Sequence, residues 1–329
     1  MKSIFVLLLL WGSITANAQT DRTMKHSERY ERGWKKLQEI DGEAGERVVE
    51  SLKDIAPELA QYIIEYSFGD IYARETLPLQ EKEIAVVAAL TALANARAQL
   101  KVHLHGALNT GSSISQVKEI LLQMSVYAGF PAAINGINAL GEVLAERSSQ
   151  GITDVEGSAP TASSVDRNIR AQEQLKAITP QESEAIREKY RAFVPALVDE
   201  GMAYAYGDIY SRDNLSKRAR QIATIAALAA LGTFPNELSF HIRAGLTIGL
   251  TPEEIKEIML LMTIYAGFPA AINGINALKK VLEAYPPPSP PVDFSTSGDF
   301  LYPQLIVIPT SQKNIYKIIY SKFAYYIKT

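Results

Sequence analysis

The fourteen-residue sequence YAGFPAAINGINAL occurs twice in this chain, at Tyr127–Leu140 and at Tyr265–Leu278. The two copies are 138 residues apart (265 minus 127). Other positions match at the same offset: Gly69–Tyr72 (GDIY) with Gly207–Tyr210, Pro57 with Pro195, Arg74 with Arg212, His103 with His241, and Gly111 with Gly249. Such matches without a gap indicate an internal duplication of a whole structural module.

The duplication divides the chain into two modules and two flanking regions. Repeat 1 covers residues 28–147 and repeat 2 covers 166–285, each long enough to bury a core of its own. The intervening residues 148–165 are rich in Ser, Gly, Thr and Ala without an apolar period, which is typical of a linker. Arrays of short repeats have at least three copies, so two long copies favour a fused pseudo-dimer.

The apolar pattern within each repeat is helical. Ile84–Leu90 and its counterpart Ile222–Leu228 are Ala-rich and apolar on nearly every side, which predicts a buried central helix. Gly111 follows an apolar helical stripe. It is placed where the left-handed backbone conformation that ends many helices requires glycine. Thr251 precedes Pro252-Glu253-Glu254, a capping box at the start of the next helix, and Ser113 to Gln116 is the weaker equivalent. We predict an all-α fold of two tandem helical-bundle modules.

Composition excludes several functional classes. The 329 residues include 33 Lys+Arg, 36 Asp+Glu, 4 His and no Cys, for a net charge of -3. Disulfides, thiolate nucleophiles and cysteine zinc sites are therefore impossible, and the charge gives no support for nucleic-acid binding. Four histidines leave few ligands for a metal, and we predict no metal site. A hydrophobic content of 47% is that of a globular protein.

The first eighteen residues have the pattern of a secretory signal peptide. Lys2 precedes the apolar run Ile4–Trp11, and Ala16–Ala18 forms an A-x-A cleavage site. We expect cleavage after Ala18, so that the mature protein begins at Gln19 and is exported to the periplasm or secreted. The apolar run is too short to anchor the protein stably in a membrane.

The C-terminal residues 286–329 have no counterpart in repeat 1. Pro286–Pro291 is a stiff, proline-rich spacer, and Leu305–Ile308 is a short strand-like run. We expect a weakly ordered appendage without chemistry of its own, although a segment that docks a partner is an open alternative.

The order of motifs in each repeat resembles the carboxymuconolactone decarboxylase family, which includes the alkylhydroperoxidase-D type proteins. The order is GDIYxR, an apolar helix, H-x2-[GA]-x-L-x2-G, [ST]-x2-[EQ]-x-KEI and YAGFPAA. The resemblance covers both repeats and is nearest to the decarboxylase branch. It implies an all-helical fold that assembles as a homo-oligomeric ring, often of six modules. Three copies of a fused pair would complete such a ring.

The resemblance also implies which residues act. The peroxidase branch uses a CxxC pair, so thiol-dependent peroxide reduction is excluded here. The decarboxylase branch needs no cofactor, and it removes CO2 from a carboxylated unsaturated lactone while donors stabilise the resulting anion. By resemblance, His103 and His241 contact this anion or donate the proton, and Glu83 occupies the family's acidic position. These three residues are the predicted catalytic groups.

Further candidates would bind a small acidic organic substrate. A guanidinium matches a carboxylate through two hydrogen bonds. The candidates for substrate binding are Arg74, Arg212, Arg243, Gln221, Glu237 and His105. Gln221 replaces the acid found as Glu83 in repeat 1, and His105 stands at the position of Arg243 in repeat 2. The two sites are therefore not expected to be equivalent.

Simpler roles remain open for the catalytic candidates. His103 and His241 would be structural histidines if backbone carbonyls satisfy them, and Glu83 would be an exposed first-turn acid favoured by the helix dipole. Counting about 13 residues from Glu83 and about 7 from His103 to the turn near Ala96 places them roughly 20 and 10 Å deep. The two side chains are then expected to meet only through a helix bend, or from different repeats or subunits.

Other motif residues also have structural explanations. Tyr127 and Tyr265 are expected to pack helices together, within a YAGFPAA corner that is not catalytic. The arginines of the two GDIYxR motifs would pair with Asp70 and Asp208, four residues earlier.

Two functions follow as hypotheses. The first is an exported, cofactor-free lyase that acts on a small carboxylated lactone or a related acid, although export makes carboxymuconolactone itself a doubtful substrate. The second is a non-catalytic exported oligomer that binds a small molecule or a protein. Loss of activity on replacing His103 and His241 would favour the lyase.

Overall fold

The computed structural model describes residues 27–180 and 183–285, together with the backbone of residues 306–309, 315–320 and 323–328. The signal peptide predicted at residues 1–18 and the spacer predicted at 286–291 lie outside the described residues. Both repeats belong to one compact unit, and residues 286–329 form a second unit.

The two repeats are built from nearly the same series of helices, which confirms the predicted all-α fold. Repeat 1 contains α1 (Glu28–Ile40), α2 (Glu43–Leu52), α3 (Pro57–Tyr62), the π-helix π1 (Ile63–Tyr72), α4 (Leu79–Leu93), α5 (Arg97–Asn109), α6 (Ile114–Tyr127) and α7 (Phe130–Ser149). Repeat 2 contains α8 (Arg167–Ile178), α9 (Ser183–Arg191), the π-helix π2 (Leu197–Tyr210), α10 (Lys217–Leu231), α11 (Pro235–Thr247), α12 (Pro252–Tyr265) and α13 (Phe268–Ala284). Within the described residues, no helix is both long and apolar enough to cross a membrane.

The core lies where α4 of repeat 1 packs against α10 of repeat 2. Their side chains are buried on nearly every side, over residues 82–92 and 219–230. Alanines at many of these positions present little side-chain bulk, which favours close packing of the two helices. The predicted central helix of each repeat is thus confirmed, and the two central helices form one shared core.

Local sequence signals set the helix ends as predicted. Ser113 and Gln116 form a capping box at the start of α6, and Thr251 and Glu254 form one at the start of α12. A cap of this kind stabilises a helix by roughly 1 kcal/mol. Gly111 has a φ of 101° after α5, a conformation that favours glycine.

Polar contacts join the two repeats in a nearly symmetric way. Arg74 Nε donates a hydrogen bond to Glu257 Oε2 at 2.8 Å. The equivalent pair, Arg212 Nε and Glu119 Oε1, is 2.9 Å apart. Glu119 and Glu257 are themselves separated by the repeat offset of 138 (257 minus 119). Each repeat therefore receives from the other the carboxylate that neutralises its arginine.

The second unit contains a three-stranded antiparallel sheet in the order β1-β2-β3. The strands are β1 (Ile306–Pro309), β2 (Ile315–Tyr320) and β3 (Phe323–Lys328). Ile308 is opposite Lys317, and Ile318 is opposite Tyr325. The strand-like run predicted at residues 305–308 overlaps β1, whereas β2 and β3 were not predicted.

Candidate active site

The site begins with a buried hydrogen bond between α4 and α5 of repeat 1. Glu83 is fully buried and His103 is 5% exposed. His103 Nδ1 and Glu83 Oε2 are 3.0 Å apart. The alternative of Glu83 as an exposed first-turn acid is therefore wrong. The pair meets within repeat 1, so the expected alternative of a contact between different repeats or subunits is also wrong.

Glu83 and His103 differ less in depth than expected, because the residues between α4 and α5 are not helical. α4 ends at Leu93 and α5 begins at Arg97, so Glu83 lies ten residues before one end (93 minus 83) and His103 six residues after the other (103 minus 97). At about 1.5 Å per residue these depths are roughly 15 and 9 Å. The extended side chains of Glu and His span the remaining difference.

A cavity of about 530 Å³ adjoins His103. Most of its wall is apolar, including Leu37, Leu52, Phe68 and Val102. The polar side chains in its lining are Asp41, Ser51, Ser67, Gln99, His103 and Tyr265. Glu83 is not part of the lining and lies behind His103. A small ligand in this cavity would therefore meet the imidazole, and the carboxylate of Glu83 would act through it.

Repeat 2 contributes Tyr265 to this site. The Tyr265 ring packs edge-on against His103, with ring centroids 4.9 Å apart. Its hydroxyl lies 3.0 Å from that of Tyr72, whose ring stacks on His103 at 6.4 Å. A packing role alone was predicted for Tyr265, but it also forms part of the cavity wall. The site of repeat 1 is thus completed by the second repeat.

Asp41 is the member of this site that the sequence pattern does not reveal. It follows α1 as its C-terminal cap and is 3% exposed. Asp41, Glu83 and His103 each place one ligand-type atom within 4.8 Å of the other two. This set of two carboxylates and an imidazole is also one that could hold a metal ion. His103 Nδ1 would then have to exchange its hydrogen bond to Glu83 for the metal, or bind it through Nε2.

Burial and charge shift the ionisation of these groups. Burial lowers the pKa of His103, but the charge and hydrogen bond of Glu83, together with Asp41, outweigh this and raise it above its usual value. Burial raises the pKa of Asp41 to about 7; the charge of His103 opposes this shift and that of Glu83 adds to it. Both groups therefore hold a proton to higher pH than they ordinarily would.

The equivalent site in repeat 2 has lost both acids. Gln221 Oε1 replaces the carboxylate of Glu83 and lies 3.0 Å from His241 Nδ1. Thr179 stands where repeat 1 has Asp41 (41 plus 138). Tyr127 hydrogen bonds to His241 Nε2 at 3.1 Å. Burial lowers the pKa of His241 to about 3, so this imidazole is neutral over the physiological range, in contrast to that of His103.

The predicted substrate-binding arginines lie elsewhere. Arg74 and Arg212 pair with Glu257 and Glu119 of the other repeat rather than with the aspartates four residues earlier. Those aspartates pair instead with arginines of α1 and α8: Asp70 with Arg29 and Arg32, and Asp208 with Arg167 and Arg170. Within the described residues, no arginine lines the cavity beside His103.

The remaining candidates also lie outside that cavity. Arg243 lies over the rings of Phe240 and Tyr285. His105 Nε2 is 3.4 Å from Glu146 Oε2 and lines a separate surface cleft. Glu237 is exposed on α11. Gln221 is the one substrate-binding candidate that contacts a predicted catalytic histidine.

Each repeat is separately similar to a known protein family. The model of the carboxymuconolactone decarboxylase family matches residues 57–142 and 195–280. The 4-carboxymuconolactone decarboxylase of Acinetobacter baylyi is 30% identical over 121 residues, which is 36% of this chain and 90% of that protein. Nitrosuccinic acid decarboxylase of Metarhizium robertsii is 27% identical over 79 residues, or 24% of this chain and 54% of that protein.

The chain also matches a solved structure. It is described as a gamma-carboxymuconolactone decarboxylase subunit from Burkholderia xenovorans. The match covers 78% of this chain and 98% of that chain, at 21% identity and a TM-score of 0.48.

Proposed function

The chain belongs to the carboxymuconolactone decarboxylase family, and from this premise we propose that it is a cofactor-free lyase whose working site is the cavity of repeat 1. The observation that carries the proposal is the buried Glu83–His103 pair, 3.0 Å apart, whose imidazole lies on the wall of a cavity of about 530 Å³. Two similar proteins are decarboxylases according to their names. The substrate would be a small carboxylated lactone or a related acid.

The pair would stabilise the charge that decarboxylation creates. When the bond to CO2 breaks, its electron pair remains on the substrate and spreads into a conjugated carbonyl. An imidazolium at His103 would hold the resulting oxyanion, and Glu83 would keep the ring charged and oriented. The apolar wall would exclude water, which strengthens this interaction. Tyr265, packed on the same ring, would restrict its movement.

The lining of the cavity supports a substrate with few charges. His103 is the one basic side chain among the lining residues that the structure describes. A compact acid with one carboxylate and an apolar or lactone body fits this wall better than a substrate with several carboxylates. The neutral His241 and the loss of both acids support repeat 2 as a structural partner that supplies Tyr265 rather than a second catalytic site.

Release of CO2 tests the proposal. The purified protein would be given 4-carboxymuconolactone, nitrosuccinate and a panel of small unsaturated monocarboxylates. We expect release from at least one, with a loss of about 100-fold or more in Glu83→Gln, which copies repeat 2. Gln221→Glu is the matched control and should keep the wild-type rate. Binding of these acids without any CO2 release would instead support the non-catalytic alternative.

We also propose that the protein is a homo-oligomer. Phe130, Ile134 and Ile137 project from α7 at helical spacing and are 41–59% exposed. The equivalent residues of α13, Phe268, Ile272 and Ile275, are exposed to a similar degree. Two equivalent apolar stripes on one chain are suited to a closed ring, and three chains would give six modules.

We propose finally that the mature protein is exported, beginning at Gln19. Support comes from the sequence pattern of residues 1–18. Fractionation of a Gram-negative host followed by N-terminal sequencing tests this. We expect a periplasmic protein with Gln19 as its first residue, and a cytoplasmic protein that retains residues 1–18 would contradict the proposal.

A further inference from the structure

Asp41 presents an unusual combination of burial and missing partners. Its side chain is 3% exposed, and its Oδ1 atom accepts no hydrogen bond from any described residue. Glu83 Oε1 is likewise buried and unpartnered within the described part of the chain. Leaving a buried carboxylate oxygen unsatisfied is costly, so these atoms indicate either a bound group or a proton.

Gly106 of α5 lets the two carboxyl groups lie on the same side of the helix. A β-carbon at this position would be 2.7 Å from Glu83 Oε2 and 2.8 Å from Asp41 Oδ1. Any side chain other than hydrogen would therefore collide with both. The absence of a side chain here permits two buried acids and His103 to form one cluster.

The buried cluster has no net charge when His103 is protonated and one of the two acids is neutral. One imidazolium at His103 compensates one carboxylate, and the hydrogen bond of 3.0 Å identifies that partner as Glu83. A second buried carboxylate beside this pair would leave a net negative charge in an apolar setting, which is strongly unfavourable. The other acid, Asp41, is therefore most stable in its neutral form.

Asp41 also lines the cavity in which a substrate would bind. It lines the cavity together with His103 and Tyr265, whereas Glu83 does not. On the basis of the proposed function, we propose that Asp41 is the acid that protonates the substrate carbon after CO2 leaves. This goes beyond the predicted catalytic set, in which His103 and His241 were the candidate proton donors and Glu83 was the one carboxylic acid.

The proton balance of the step is simple. The carbon–carboxylate bond breaks, CO2 departs, and its electron pair remains on the substrate as an anion held by His103. The Oδ–H bond of Asp41 then breaks as a new C–H bond forms at the substrate carbon. Asp41 regains one proton from water, so each turnover converts one carboxylate and one proton into the product and CO2. A neutral Asp41 also avoids repelling the substrate carboxylate on entry.

Repeat 2 supplies a natural comparison, because Thr179 occupies the position of Asp41 there and Gln221 that of Glu83. We therefore choose Asp41→Asn as the isosteric variant and Asp41→Thr as the variant that copies repeat 2. Asp208→Asn removes a partly exposed, ion-paired aspartate outside the site and serves as a control. Circular dichroism would establish that each variant folds.

Infrared spectroscopy tests the neutral acid without any substrate. The carbonyl stretch of a protonated carboxyl group is distinct from that of a carboxylate. We expect such a band in the wild-type protein at pH 6, its loss in Asp41→Asn and Asp41→Thr, and its retention in Asp208→Asn. The charged and titratable groups that face Asp41 are Glu83, His103, Tyr72 and Tyr265. A wild-type spectrum without the band would overturn the proposal, whether or not a substrate has been found.

Kinetics then test the catalytic role. We expect kcat of Asp41→Asn to fall by about 100-fold with little change in KM, since a general acid contributes about this much. Unchanged kcat would contradict the role even if the band is present. Loss of activity on dialysis against EDTA, restored by a divalent metal, would also overturn it, because the cluster would then be a metal site. Absence of any CO2 release by the wild type would refute the proposed function but leave the infrared result intact.

Discussion

His103 of repeat 1 and Tyr265 of repeat 2 pack ring edge against ring face, with their centroids 4.9 Å apart. The reciprocal contact, between Tyr127 of repeat 1 and His241 of repeat 2, has centroids 5.4 Å apart. The duplication therefore produces two sites that each borrow a tyrosine from the other half. They differ in what lies behind the histidine, a carboxylate in one and an amide in the other.

Replacement of Tyr265 by Phe should reduce, but not abolish, turnover. The ring would still pack on His103, but the hydroxyl that bonds to Tyr72 would be lost. The loss of one such hydrogen bond is worth about 1 kcal/mol, and we expect kcat/KM to fall roughly fivefold. Tyr127→Phe is the matched control and should leave the rate of CO2 release unchanged. Equal losses in both variants would contradict an assignment of activity to repeat 1.

The pKa values of the two buried histidines should be shifted in opposite directions. NMR of ring-labelled histidine would follow each imidazole, assigned with His103→Gln and His241→Gln. We expect the pKa of His103 above its usual value, because Glu83 and Asp41 outweigh the effect of burial. Burial alone lowers the pKa of His241 to about 3. In Glu83→Gln the pKa of His103 should move towards that of His241, and failure to move would contradict the role given to the carboxylate.

Several of these features were accessible from the sequence because they are local or repeated. The capping residues Ser113 and Thr251 lie within one turn of the groups they bind, and the offset of the repeats identified His103 and His241. The same offset also relates Glu119 to Glu257. Polar residues at equivalent positions of the two repeats, such as this pair, therefore indicate contacts between the repeats.

The rest of the site depends on contacts that sequence spacing does not encode. Asp41 has no acidic counterpart in repeat 2, so a search for duplicated polar residues passes over it. Tyr265 reaches His103 only because α12 of one repeat packs beside the site of the other. Arg74 has acids nearby in sequence, yet its partner Glu257 comes from the distant half. Such pairings are set by tertiary packing.

Stability should depend on pH through Asp41. Its pKa is about 7 in the folded protein and ordinarily 3.8, so the folded state binds more protons than the unfolded state between these values. Stability from this group is therefore lost as the pH rises from about 4 to 7. Urea unfolding at pH 4 and pH 8 would give the free energy of unfolding of both proteins. From pH 4 to pH 8, the stability of Asp41→Asn relative to wild type should rise by roughly 2–4 kcal/mol. The same shift in Asp208→Asn would contradict an origin at Asp41.

The exposed stripes of α7 and α13 should control assembly. A charge at Ile134 or Ile272, which are 56% and 55% exposed, would be buried without a partner in an oligomer. We expect Ile134→Asp combined with Ile272→Asp to convert the assembly to single chains in light scattering, with circular dichroism unchanged. Lys280→Asp, on the same helix as Ile272 and exposed, should leave the mass unchanged. A wild-type protein that is already monomeric would refute the oligomer.

Comparison of His103→Gln with His241→Gln tests the assignment of catalysis to one repeat. The measurement is the rate of CO2 release from a substrate of the wild-type enzyme, with folding of both variants checked by circular dichroism. We expect His103→Gln to lose at least about 100-fold and His241→Gln to stay within a few-fold of wild type. Retention of activity in His103→Gln, or an equal loss in both variants, would contradict a working site formed by Glu83, His103 and the adjoining cavity.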